Sequence, residues 1–108
     1  ISDEKIIKAV NEIQKGLHDG KLGGRLYKKR IAAQGKGKRG GYRMIIAYQS
    51  RKNDKFFILH GYAKNDKANI TQKEKKAFKE LAEDCFAFTD DELTILIEQG
   101  ELFEVHYD

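Results

Sequence analysis

Between Lys21 and Lys64 the chain carries 13 lysines and arginines and one acid, Asp54, a net charge of +12 in 44 residues. Interleaved with these cations are three runs rich in β-branched and aromatic residues: GGRLYKKRIA (residues 23–32), YRMIIAYQ (residues 42–49) and KFFILHGYA (residues 55–63). RKND, Arg51 to Asp54, reads as a turn. Three consecutive strands with short connections predict an antiparallel meander. Cations clustered on such a sheet repel one another and are costly unless an anion visits. The block is therefore the electrostatic footprint of a polyanion partner, with a merely solvated basic face as the bland alternative.

Helical patterns flank the meander. Ile6, Val10, Ile13 and Leu17 recur at spacings of four, three and four, which predicts a helix from Ile1 to Leu17 with Ser2 as N-cap. Thr71–Glu74 and Thr89–Glu92 read as capping boxes. The first opens a helix with Phe78, Leu81, Ala82 and Cys85 on one stripe. The second opens a helix with Leu93, Leu96 and Ile97, ended by Gly100. Glu101–Tyr107 fits a last short strand or a tail. The 108 residues make one α+β domain, with a basic sheet region at 21–64 and an acidic helical tail at 71–108. Residues 80–108 hold ten acids and no Lys or Arg. That run fits a solvated amphipathic helix, or a shield for the basic block.

No apolar run is long enough for a membrane span, and no signal peptide is visible. A single cysteine, Cys85, fits a reducing cytoplasm and falls on an apolar stripe, where packing is the favoured role. No Cys/His cluster has zinc spacing, so neither metal nor cofactor is expected.

The stretch QGKGKRGGYR, Gln34 to Arg43, combines four glycines with four cations. Gly35 to Gly40 matches G-x-G-x-x-G, but the dinucleotide version needs a helix immediately after it, and here a strand follows. The chain is too short for a kinase, and Walker A spacing is absent. What remains is a strand connection whose glycines admit close backbone approach and whose Lys36, Lys38 and Arg39 suit phosphates, or else a solvated hairpin loop.

Lys28 and Arg30 share one face of their strand, Arg43 opens the next, and Lys64 closes the third. With a suitable register these four converge. Guanidinium groups so placed stabilise the charge of a phosphoryl transition state, and a lysine crowded by cations moves towards a base's pKa. Tyr62 is placed to stack on a base. His60 shares its parity and reads either as an acid–base group or as a structural strand histidine. His18 and His106 receive no role.

The stretch from Leu22 to Ile70, LGGRLYKKRIAAQGKGKRGGYRMIIAY followed by FFILHGYAKNDKANI, resembles the RelE/HigB-type toxins of bacterial toxin–antitoxin pairs. The tail DDELTILIEQGELFEV is similar to one branch of that family. The resemblance implies a RelE-like fold: an N-terminal helix, an antiparallel sheet of three to four strands and C-terminal helices. It implies a metal-free endoribonuclease that cuts messenger RNA on the ribosome by attack of a ribose 2′-OH on the adjacent phosphate. Its partners would be a cognate antitoxin, the ribosome and mRNA. Carried residue by residue, it makes Lys28, Arg30, Arg43 and Lys64 catalytic. Lys29, Lys36, Lys38, Arg39, Tyr42, Tyr62 and Asn65 are expected to contact RNA.

Three departures accompany it. Asn65 stands where some members have arginine. A tyrosine found a little further on in some members has no counterpart near Ile70 or Thr71. Members also begin with a strand and more helix upstream of Ile1, which implies missing N-terminal residues. Two other functions fit the same +12 block: a non-cutting RNA- or ribosome-binding module, and a gyrase inhibitor like the related ParE branch.

Overall fold

The computed structural model describes residues 3–31, 41–50, 55–63 and 70–105. Its elements run α1 (Asp3–Gln14), β1 (Gly20–Gly23), β2 (Leu26–Ile31), β3 (Tyr42–Gln49), β4 (Lys55–Ala63), α2 (Gln72–Ala87) and α3 (Asp90–Glu98). The four strands form one antiparallel sheet in the order β1-β2-β3-β4. This is the α+β arrangement expected from the sequence.

The extra strand, β1, is Gly20–Gly23, a segment for which the sequence predicts no strand of its own. It folds back on β2 through a tight connection in which Gly23, Gly24 and Arg25 all take positive φ. The side chain of Lys79 on α2 runs 3.2–3.8 Å from where Cβ atoms at Gly23 and Gly24 would lie. Side chains at those positions would therefore meet both backbone strain and α2. Arg25 tolerates the left-handed conformation with two anchors: its guanidinium lies 4.3 Å from the Phe86 ring centroid, and it donates to Gln49 Oε1 at 2.6 Å. At the other end, Glu101–Val105 form no strand.

Strand alternation divides the apolar residues between two cores. On one face, Ile31, Met44 and Ile46 pack with Ala9 and Ile13 of α1. Tyr27, Tyr48 and Phe56 cross that face as a ring series with centroids 6.2 and 4.4 Å apart. On the other face Leu26, Ile45, Ala47 and Tyr62 pack with Ala82 of α2, joined by Phe57, Leu59, Phe78 and Phe86. Leu26, Ile45 and Ile46 are fully buried, each contributing about 1.5–3 kcal/mol by removal from water.

The helices follow their caps. Both predicted capping boxes form: Thr71 with Glu74, and Thr89 with Glu92. Gly100 takes φ 76° just beyond α3, where a left-handed residue ends a helix. Helix α1 ends at Gln14 rather than Leu17, because Gly16 turns the chain at φ 83°. Leu17 consequently leaves the apolar stripe and is 55% exposed. Leu81, expected inside, is likewise exposed, and Phe86 packs inward with Phe78 and Ala82. Ser2, the expected N-cap, lies outside the described residues. No helix among the described residues is long and apolar enough to cross a membrane.

Candidate functional site

The ladder between β2 and β3 pairs Lys28 with Ile45 and Arg30 with Arg43. The ladder between β3 and β4 pairs Arg43 with Tyr62 and Ile45 with His60. Arg30, Arg43 and Tyr62 thus form one row across three strands. Lys28, Ile45 and His60 form the next row on the same face. Tyr62 and Ile45 belong to the core under α2, so this is the α2 face of the sheet.

Tyr62 and His60 reach that face because of a β-bulge. The register slips between Ile45 and Ile46, which pair with His60 and Ile58, leaving Leu59 as the extra residue. In an unbroken strand Phe56, Ile58, His60 and Tyr62 would share one side. Here Phe56 and Ile58 pack towards α1, whereas Tyr62 joins the α2 core and His60 stacks on Phe78 of α2. A bulge commonly re-aims side chains beside a site in this way.

Arg43 is nine-tenths buried, and its Nε and Nη1 have no hydrogen-bond partner among the described residues. The Nε of Arg30 is in the same condition. Buried donors without acceptors are costly, about 1–3 kcal/mol each, and two cations directly opposite add repulsion. A row of guanidinium groups is chemically suited to an anion such as phosphate, whose oxygens accept from guanidinium forks in planar, charge-assisted bonds. Asp19, just before β1, accepts through Oδ2 from the Arg30 backbone N–H.

Two expected RNA contacts fall elsewhere. Lys29 points to the α1 face, where its Nζ donates to the Leu17 carbonyl at 3.0 Å and lies 3.5 Å from Glu12 Oε2. Its alternation with Lys28 and Arg30 puts it on the far side of the sheet, so it ties α1 down instead. Tyr42 pairs with Ile31 and Ala63 and is exposed on that same far side. Lys36, Lys38, Arg39, Lys64 and Asn65 lie outside the described residues, as does His106. His18 packs its ring 5.0 Å from Tyr27. Among the described residues no three His, Cys, Asp or Glu side chains gather as metal ligands would.

A family model described as the RelE toxin of the RelE/RelB toxin–antitoxin system matches residues 1–105. The chain belongs to the RelE toxin family. The match spans the meander, both C-terminal helices and nearly the whole chain, so the four-stranded sheet and its helices are the toxin fold. This RelE-family chain is accordingly the toxin of a toxin–antitoxin system, with a cognate antitoxin as its partner. Membership also supports the general activity of the family, cleavage of RNA. Cys85 stands apart from the cation face: it is buried, and burial together with the nearby Asp84 charge raises its pKa.

Proposed function

We propose that this toxin is a ribosome-dependent endoribonuclease that cuts messenger RNA in the cytoplasm and so stops translation. The observation that carries the reading is the opposed pair Arg30 and Arg43, with Arg43 buried and two of its nitrogens awaiting acceptors. Simple docking on RNA is served by exposed lysines. A pair of arginines on one row, one of them buried, is suited to a charge that grows during reaction.

In this reading the scissile phosphate sits over the Arg30–Arg43 row. The ribose 2′-oxygen attacks the phosphorus, the bond to the 5′-oxygen breaks, and a 2′,3′-cyclic phosphate and a 5′-hydroxyl result. Arg43 and Arg30 hold the two non-bridging oxygens as negative charge accumulates, and Lys28 adds charge from the next row. These side chains take the part that a divalent cation plays in other nucleases. Lys64, on the same parity as Tyr62, extends the group. Lys36, Lys38, Arg39 and Asn65 contact the RNA backbone, and Tyr62 supports the pocket wall.

The test is a purified translation system with 5′ ends mapped by primer extension, with and without ribosomes. The reading predicts new ends within the message only when ribosomes are present, persisting in EDTA-treated, pre-formed complexes that hold together. A folded, ribosome-binding protein that generates no ends would be a binding module. Inhibition of DNA supercoiling without RNA cleavage would place it with the gyrase inhibitors.

A further inference from the structure

His60 is set apart from the rest of the cation face. Its ring stacks near two others, with centroids 5.9 Å from Tyr62 and 5.4 Å from Phe78 and interplanar angles of 28° and 26°. The residue is nevertheless exposed, and it makes no hydrogen bond or ion pair among the described residues. Two aromatic neighbours fix the orientation of the imidazole while leaving it open to solvent. The bulge at Leu59 places it diagonally next to Arg43 and at the end of the row that starts at Lys28.

The chemistry of the face lacks one component. Guanidinium groups stabilise a phosphorane but do not surrender a proton, and a 5′-alkoxide leaves slowly unless it is protonated. Histidine is the side-chain type that exchanges protons readily near neutral pH. Among the described residues on this face only His60 is of that type.

We propose that His60 is the general acid of the cleavage, donating a proton to the departing 5′-oxygen over the Arg30–Arg43 row. This rests on the nuclease reading above. In the step, the 2′-oxygen–phosphorus bond forms as its proton passes to water, and the phosphorus–5′-oxygen bond breaks. The proton on the imidazolium moves to the 5′-oxygen. Neutral His60 then recovers a proton from water, and no redox change occurs.

The experiment uses ribosome complexes carrying a synthetic message whose scissile 5′-oxygen is replaced by sulfur. A thiolate leaves without protonation, so the substitution bypasses an acid and nothing else. Wild type, His60→Gln and His60→Phe are compared in single turnover, the last preserving an aromatic ring against Tyr62 and Phe78. With the oxygen substrate both variants are expected to lose about 10²–10⁴-fold, and with the sulfur substrate to cleave within a few-fold of wild type. Equal losses on both substrates would make His60 a positioning group and overturn the proposal. Unchanged cleavage of the oxygen substrate would overturn it too. Failure of the wild-type protein to cut either message would instead overturn the nuclease reading on which it stands.

Discussion

Arg30 and Arg43 are direct cross-strand partners on the α2 face, near the end of β2 and the start of β3. Strand neighbours lie about 5 Å apart, and like charges so placed oppose folding by some tenths of a kcal/mol to about 1 kcal/mol. The buried, unpartnered nitrogens of Arg43 add to that cost. The fold is therefore held against a local electrostatic penalty. Arg43→Met is expected to leave the melting temperature equal or raise it by several degrees, at about 4–8 °C per kcal/mol for a domain of this size. The same variant should lose about 10²–10³-fold in RNA cleavage. A melting temperature that falls sharply would mean that Arg43 is structural.

Lys28 and Lys29 are neighbours in sequence with opposite assignments. Lys28→Met is expected to weaken RNA or ribosome binding and reduce the salt slope by about one unit. Lys29→Met should leave that slope unchanged, because Lys29 faces α1. Glu12→Gln removes the carboxylate beside the Lys29 ammonium, and a loss of about 1 kcal/mol in urea unfolding is expected, discounted because Glu12 is partly exposed. Equal salt slopes for the two lysine variants would contradict the assignment of faces.

The bulge at Leu59 lets Tyr62 and His60 face α2 although Phe56 and Ile58, of the same sequence parity, face α1. Deleting Leu59 removes the extra residue: Ile58 and His60 become neighbours that still pair with Ile46 and Ile45, so the ladder is unbroken and Tyr62 and His60 keep the α2 side. The deletion is expected to retain cleavage at temperatures where circular dichroism shows it folded. Leu59→Ala keeps the bulge and trims the same partly buried side chain from the α2 core, and it should retain cleavage as well. Loss of cleavage in the folded deletion variant but not in Leu59→Ala would show that the site needs the bulge itself and not merely the facing of Tyr62 and His60.

Cys85 packs in the core under α2, and its raised pKa arises first from burial and then from Asp84. The folded thiol keeps its proton at pH values where the unfolded one ionises. Stability is therefore unaffected by this group at neutral pH and falls as pH rises past the ordinary thiol value towards the folded one. Alkylation at pH 8 should be slow in the native protein and fast in denaturant. Rapid native labelling with no loss of structure would show the thiol to be accessible.

The chain announces much of this arrangement. Three of the four strands, the two capping boxes and the stop at Gly100 follow from local chemistry that needs no tertiary context: β-branched runs, Thr-x-x-Glu spacing and a glycine free to take positive φ. The grouping of Lys28, Arg30 and Arg43 was legible because the strand period is two and the meander has few alternatives. β1 was not, since Gly20–Gly23 has no strand propensity and exists only through pairing with β2. The facing of Lys29 and Tyr42 was not legible for another reason. Position within a basic run says nothing of facing, and once Lys28 faces α2, Lys29 must face α1. The bulge was invisible as well, because the sequence parity of His60, Tyr62 and Lys64 is the same with or without it. Only the slip at Leu59 tells which side of the sheet that parity means. His60 drew attention as a residue type, but its stacking on Phe78 depends on where α2 packs.

The central claim is that the Arg30–Arg43 row acts on the transition state rather than on docking. Single-turnover cleavage in pre-formed ribosome–mRNA complexes, measured for wild type and Arg43→Met beside ribosome pelleting, tests it most directly. The account predicts that cleavage falls at least about 100-fold while ribosome affinity stays within a few-fold. Cleavage that returns to the wild-type rate at saturating Arg43→Met protein would contradict it, because Arg43 would then serve binding alone.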